Sequence, residues 1–378
     1  MSQARSRPKI MVTFGTRPEA IKMFPVVQAL REAGRSDVCV AVTAQHREML
    51  DQVMDIAGIE PDIDLDLMQP GQSLDALSAR IITRFGEALD AEKPDRVLVH
   101  GDTLTTMMAT LACYFRRIPV GHVEAGLRSG DIYSPWPEEV NRKVTGAVAD
   151  LHFAPTANAA AALRAENVPE SAIHITGNTV IDALLVARAK VAADPSLAPA
   201  LAPLKERFAG KRIVAVTAHR RENFGDGMQQ IAAALKRLAG REDIAIIYPM
   251  HPNPNVVEVM RPELSGIDNI ALIEPLDYLG FVAMMEVSDI VLTDSGGIQE
   301  EAPSLGKPVL VMRDTTERPE GVSAGTALLT GANTNAIVRE VSKLLNDPIA
   351  YDAMSKAHNP YGDGTASRQI AEIIAKAH

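Results

Sequence analysis

The sequence predicts an α/β protein of two tandem Rossmann-like, doubly wound domains. Three observations carry this. Short aliphatic and β-branched runs, apolar on both faces, recur along the chain, as strands covered on both sides of a sheet require. Longer amphipathic stretches separate them, which is the alternation of a parallel α/β sheet. The pattern then runs a second time, after an Ala- and Pro-rich stretch at 194–210 (DPSLAPALAPLKERFAG). A length of 378 residues fits two domains of ordinary size.

In the first half, strands are expected at 10–14, 38–43, 96–100, 120–123, 151–154 and 172–175. Helices are expected at 20–33, 47–56, 74–90, 103–115, 137–149 and 157–166, with Pro25 kinking the first. In the second half, strands are expected at 212–217, 244–249, 270–273, 290–293, 308–312 and 327–329. A strand ends and a helix begins near 177–180, so the domains are expected at 1–178 and 179–364. The C-terminal helix, at 365–378, is expected to pack back on the first domain. Two sets of strand carboxyl ends then imply a cleft between the domains, where ligands of such folds bind.

Composition narrows the function classes. The formal net charge of −10 makes nucleic acid a poor partner, because phosphate backbones call for a basic surface. A membrane-surface role is disfavoured for the same reason. Cys39 and Cys113 each sit in an apolar segment and read as buried thiols of a reducing compartment. No Cys/His cluster has zinc spacing, so no metal is expected. The N-terminal MSQARSRPKIMVTF lacks a long apolar stretch, so neither a signal peptide nor a membrane span is expected, and the location is expected to be cytoplasmic.

The chemistry-bearing residues cluster at strand ends. The richest segment is TDSGGIQEEAPSLGKPVLVMRDTTERPEG, from Thr293 to Gly321. A buried strand breaks at Asp294-Ser295-Gly296-Gly297 and runs into a helix carrying Glu300 and Glu301. Glycines let backbone N–H groups approach a ligand, and a helix N-terminus attracts phosphate. The carboxylates suit sugar hydroxyls instead, so the segment reads as a nucleotide site. After the first strand, Gly15-Thr16-Arg17-Pro18-Glu19-Ala20 and then Lys22 form a turn into a helix. It is not GxGxxG, so nicotinamide chemistry loses its main support. Arg17 and Lys22 suit an anion there, unless Arg17 pairs with Glu19 and Lys22 is a solvated helix residue.

Asp102, in His100-Gly101-Asp102-Thr103, reads either as a helix N-cap or as a catalytic carboxylate. Glu124 stands at a strand tip between small residues. Glu138 and Glu139 follow Pro137, the expected first helical residue, where carboxylates also favour the helix dipole. His219-Arg220-Arg221 at a strand tip reads as a diphosphate site or as a charged loop. His46 and His251 are lone histidines beside strand ends, and Arg318 follows another strand.

Taken together, these strings resemble the non-hydrolysing UDP-N-acetylglucosamine 2-epimerases. The matching pieces are FGTRPEAIK, TAQHREML, HGDT, GHVEAGLR, YSPWPEE, ITGNTVIDAL, HRREN, TDSGGIQEEAPSLGKPVL and MRDTTERPE, with HNPYGDG extending them. They run in order over nearly the whole chain. The resemblance implies a GT-B-like fold and interconversion of UDP-N-acetylglucosamine and UDP-N-acetylmannosamine by a homodimer, with no metal or nicotinamide cofactor. It implies UDP contacts from Arg17, Lys22, His219, Phe281, Ser295, Gly296, Gly297, Glu301 and Arg318. Asp102, Glu124 and Glu138 fall on the family's catalytic carboxylates, and His219 joins them in the site. Gln45, His46 and His251 match a second site where some members bind UDP-N-acetylglucosamine as activator. There is one departure: some members have Gln before Tyr278, where this chain has Leu276.

Overall fold

The structure is a computed structural model and describes residues 7–43, 47–69 and 71–377. Among the described residues, thirteen strands fall into two wholly parallel sheets. The first holds β1 (Lys9–Phe14), β2 (Asp37–Val42), β3 (Ile63–Asp64), β4 (Arg96–His100), β5 (Val120–Val123), β6 (Leu151–Ala154) and β7 (Ile173–Ile175). The second holds β8 (Arg212–Thr217), β9 (Ile244–Pro249), β10 (Ile270–Ile273), β11 (Ile290–Thr293), β12 (Val309–Val311) and β13 (Ala327–Leu329). Their orders are β3-β2-β1-β4-β5-β6-β7 and β10-β9-β8-β11-β12-β13. Each order reverses once, between β1 and β4 and between β8 and β11. A parallel sheet leaves a crevice at that point, beyond the strand carboxyl ends.

Two compact units result. One comprises the residues up to Ala183 together with those from Tyr361 on, and the other comprises Leu184–Pro360. The division falls inside one helix, Thr179–Ala193. In the first unit, Met11, Val97 and Val99 meet Ile81, Phe85 and Leu89 from the helix Leu74–Glu92. In the second, Val214, Ile246, Leu292 and Leu310 meet Ile231, Leu235, Ile337 and Val341. Each such side chain contributes roughly 1.5–3 kcal/mol on burial, so both sheets are fixed in register by their cores. The C-terminal helix Ala366–Lys376 packs in the first unit, where Ser367 N–H donates to Asp182 Oδ1 at 2.8 Å.

The expected α/β class of parallel, doubly wound sheets is the observed one. Three local readings change. The helix after β1 runs from Arg17 to Ala33, three residues longer at its start, because Thr16 and Glu19 form a capping box. It continues unbroken through Pro25. The helix after β4 is capped by Thr103, whose hydroxyl accepts from Thr106 N–H at 3.2 Å, so Asp102 is not its cap. The helix after the Trp136 loop begins at Glu138, with Pro137 in the capping position rather than inside the helix. The two-residue β3 has too short an apolar run to be read from sequence.

Candidate active site

In the first unit, the crevice between β1 and β4 is walled by the two turns that follow those strands. Gly15 must be glycine: a Cβ there would lie 2.2 Å from Thr43 Oγ1 and 2.6 Å from Thr105 Oγ1. Glu19, fully buried, joins the two turns. It accepts from Gly15 N–H (3.0 Å) and Thr16 N–H (2.8 Å) on one oxygen, and from the hydroxyls of Thr103 (2.7 Å) and Thr106 (3.2 Å) on the other. Burial pushes its pKa up, and these donors work against that. Glu19 therefore does not pair with Arg17, which is partly exposed and has no ion pair among the described residues.

Glu124 follows β5 with φ of 60°, a left-handed conformation that costs a residue with a side chain roughly 1–3 kcal/mol. Its Oε2 forms an ion pair with Lys22, accepts from Asn178 Nδ2 at 2.8 Å, and lies 3.8 Å from His100 Nε2. Lys22 is thus neither solvated nor aimed at an anion alone. Burial pulls the His100 pKa down to about 4 although Glu124 works to raise it, so His100 is neutral at pH 7.

Asp102 lies beside this cluster, and Glu138 opens the helix that reaches it. The helix Glu138–Val148 reaches Asp102 through two consecutive residues. Asn141 Nδ2 donates to the Asp102 carbonyl at 2.8 Å, and the Arg142 guanidinium donates to Asp102 Oδ2 from Nε (3.0 Å) and Nη2 (2.7 Å). Glu138 opens that helix half-buried, and its Oε2 is enclosed with no hydrogen-bond partner among the described residues. Its neighbour Glu139 is fully buried. Burial raises the Glu139 pKa, but the N–H groups of Ser129 and Gly130 and the side chain of Arg142 outweigh it and hold the pKa below the usual value.

In the second unit the crevice lies between β8 and β11, and its hub is the buried Asp294. Asp294 Oδ2 accepts from His219 N–H (2.8 Å), Arg220 N–H (2.8 Å) and Asn223 Nδ2 (3.2 Å). His219 Nδ1 lies 3.3 Å from Oδ1 of the same carboxylate. Partial burial lowers the His219 pKa against the pull of Asp294. The exposed His251 ring stacks on His219, centroids 5.4 Å apart. Ser295 stands in the N-cap position of the short helix Gly296–Glu301 without a side-chain capping bond, and the first N–H groups of that helix have no acceptor within it. Arg220 Nη2 would lie 3.8 Å from a Cβ on Gly296, and its buried Nε has no partner among the described residues. Glu301 Oε1 would lie 3.5 Å from a Cβ on Gly297.

The paired reading of Glu300 and Glu301 as hydroxyl ligands is corrected. Glu300 is buried and forms an ion pair with Arg318, so only Glu301 stands at the glycine turn. Phe281 is half-buried on the helix Tyr278–Val287, and Leu276 packs beside Gly280 before it. Gln45 and His46 lie outside the described residues. A largely apolar cavity of about 680 Å³, lined by Val191, Leu201, Val282 and Val287 among others, contains none of the predicted site residues.

The structure adds Glu19, Asn178, Arg142 and Asp294 to the sequence-predicted set and gives Arg220 a place in it. All but Arg142 lie inside the strings FGTRPEAIK, ITGNTVIDAL, HRREN and TDSGG, but those strings do not mark them as holding groups. Among the described residues no group of three or more His, Cys, Asp or Glu could hold a metal ion, and no helix is long and apolar enough to cross a membrane.

The profile of the UDP-N-acetylglucosamine 2-epimerase family matches residues 28–375. A UDP-N-acetylglucosamine 2-epimerase of Yersinia pestis is 55% identical over 371 residues, 97% of this chain and 98% of the relative. The enzyme of the same name from Escherichia coli K12 is 54% identical over 370 residues, covering 97% and 98%. Among solved structures, the Neisseria meningitidis UDP-GlcNAc 2-epimerase bound to UDP-GlcNAc superposes with a TM-score of 0.87 at 47% identity, over 97% of this chain and 100% of that one. The Methanocaldococcus jannaschii enzyme does so with a TM-score of 0.86 at 31% identity, over 97% and 99%. With strand-end carboxylates in one unit, a glycine turn beside arginines in the other, and these full-length matches, the chain belongs to the UDP-N-acetylglucosamine 2-epimerase family.

Proposed function

We propose that the chain interconverts UDP-N-acetylglucosamine and UDP-N-acetylmannosamine without net hydrolysis and without a redox cofactor. The proton on C2 is not next to a carbonyl, so direct deprotonation at neutral pH is out of reach. Breaking the C1–O bond to UDP builds positive charge at C1 and acidifies C2–H. Loss of that proton leaves UDP and 2-acetamidoglucal. Re-addition of UDP at C1, with a proton delivered to the opposite face of C2, gives the epimer.

This route needs an acid and a base on opposite faces of the sugar, and cations for the departing diphosphate. Asp102 and Glu138 are the acid–base pair. Glu124, held on one oxygen by Lys22 and Asn178, orients the sugar. His219, Arg318, Arg17 and Lys22 retain UDP together with Ser295, Gly296 and Gly297, while Glu301 takes the ribose and Phe281 the base. The observation that carries this reading is the joining of Asp102 to the helix that begins with Glu138. The helix that Glu138 opens is thereby tied to Asp102, and Glu138 carries an enclosed oxygen with no hydrogen-bond partner among the described residues. His251, stacked on His219, belongs with Gln45 and His46 to a second, activating UDP-N-acetylglucosamine site. The enzyme acts in the cytoplasm as a homodimer and supplies N-acetylmannosamine units for envelope polysaccharide.

The test is incubation with UDP-N-acetylglucosamine in D2O, followed by proton NMR. UDP-N-acetylmannosamine carrying deuterium at C2 is the expected product. Free N-acetylmannosamine with UDP would instead identify a hydrolysing epimerase. No turnover with UDP still bound would point to a transferase or a sensor.

A further inference from the structure

The guanidinium of Arg142 spans two carboxylates. Nε and Nη2 both donate to Asp102 Oδ2, at 3.0 and 2.7 Å, and Nη1 donates to Glu139 Oε2 at 3.1 Å. Glu139 is fully buried and itself fixed by the backbone N–H groups of Ser129 (3.1 Å) and Gly130 (3.3 Å). One end of the fork is therefore anchored, and the other sets the rotation of the Asp102 carboxylate. Both bonds fall on Oδ2, and no described residue donates to Oδ1. Asn141 fixes the main chain of Asp102 from the same helix, the one that begins with Glu138.

We propose that Arg142, anchored by Glu139, is a positioning residue for the epimerisation: it presents Asp102 Oδ1 to C2 and sets its place relative to Glu138. This rests on the reading of Asp102 and Glu138 as the acid–base pair. A tie between helix and strand end needs only a positive charge, which a lysine supplies. Two N–H groups of a rigid planar fork converging on a single oxygen also fix its place more narrowly than the freely rotating ammonium of a lysine does. A general acid or base must sit within hydrogen-bond reach of its proton, so that placement bears on rate rather than on binding.

The test is steady-state kinetics of the full-length enzyme carrying Arg142→Met, Arg142→Lys, Asp102→Asn and the Asp102→Asn/Arg142→Met double, with melting temperatures to check folding. Arg142→Met is expected to lower kcat about 100-fold, the scale of a misplaced catalytic group, while KM and UDP affinity stay unchanged. Arg142→Lys is expected to recover only part of that loss, and it stands in if the methionine variant does not fold. Because Arg142 acts through Asp102, adding Arg142→Met to Asp102→Asn should cost nothing further. Wild-type kcat in both Arg142 variants, or losses that multiply in the double, would overturn the positioning role alone. Full turnover by Asp102→Asn would overturn the acid–base reading beneath it.

Discussion

The two crevices share a topology and invert its chemistry. At the β1/β4 point the proposed working groups are carboxylates, Asp102 and Glu124, and the groups that hold them are cations, Arg142 and Lys22. At the β8/β11 point and the strand beside it, the proposed working groups are nitrogen donors, the Arg318 guanidinium and the His219 imidazole, whose pKa burial lowers. There the holding groups are buried carboxylates, Asp294 and Glu300. The fold supplies the place in both cases, and the sign of the buried holding residue decides what that place can do. A carboxylate held by a cation is fixed in orientation toward the sugar. A guanidinium or imidazole held by a carboxylate is fixed in direction yet keeps donors for an anion.

The sharpest way to break this comparison is at Arg318 and Glu300. Arg318→Met takes the guanidinium away from a buried carboxylate, and losing one member of a buried pair costs roughly 3–5 kcal/mol. UDP affinity should fall as well. Adding Glu300→Gln should restore the melting temperature but leave UDP binding weak. Calorimetric titration with UDP, beside thermal melts, separates the two effects. If the double variant bound UDP normally, Arg318 would be structural only and the inversion would fail.

How much of this was legible in the sequence follows from the range of each interaction. Strands buried on both faces show as aliphatic runs, so β4, β5, β6 and β8 to β11 were read to the residue, as was the edge strand β13, whereas the two-residue β3 left no pattern. The strand-tip residues were legible because their sequences break the apolar runs. The holding residues mostly were not. Arg142 meets Asp102 across 40 residues, Glu19 meets Thr103 across 84, and Asn178 meets Glu124 across 54. No local pattern encodes such pairs. Asp102 was read as a possible cap and Thr103 takes that place, a swap local sequence does not reveal because both residue types cap helices.

A second difference between the units is their response to acid. His100 and His122 are wholly buried in the first unit, and burial lowers their pKa values to about 4 and about 3. The unfolded chain takes these protons near the ordinary value of 6.5, while the folded unit refuses them until far lower pH. The stability they confer is complete above 6.5 and is lost as pH falls towards the folded values. Each costs about 1.4 kcal/mol per pH unit, or about 2 kcal/mol at pH 5. In the second unit His219 is lowered too, but it is partly exposed. Hydrogen exchange at pH 7 and pH 5 should therefore show the first sheet loosening while the second keeps its protection. Equal loss in both sheets would remove this contrast.

The smallest effect concerns a carboxylate that no cation holds. Asp182 accepts from Ser367 N–H through Oδ1, and its Oδ2 is buried with no hydrogen-bond partner among the described residues. Burial is the leading influence and raises its pKa above the ordinary 3.8. For a group raised in this way, the contribution to stability is complete below the unfolded value and is lost as pH rises through the folded one. Charging Asp182 as pH rises is thus a cost to the folded state. Asp182→Asn keeps an oxygen for Ser367 and removes the charge. It should leave the protein as stable as wild type or more so at pH 7, with the gap closing as pH falls. Asp182→Ala removes the acceptor as well and should cost about 1 kcal/mol, as loss of a helix cap does. Melting curves of the three proteins across pH then separate charge from hydrogen bond. A destabilised asparagine variant at pH 7 would mean that the bare carboxylate is favourable here, and that a buried acid in this unit does not need a cation to hold it.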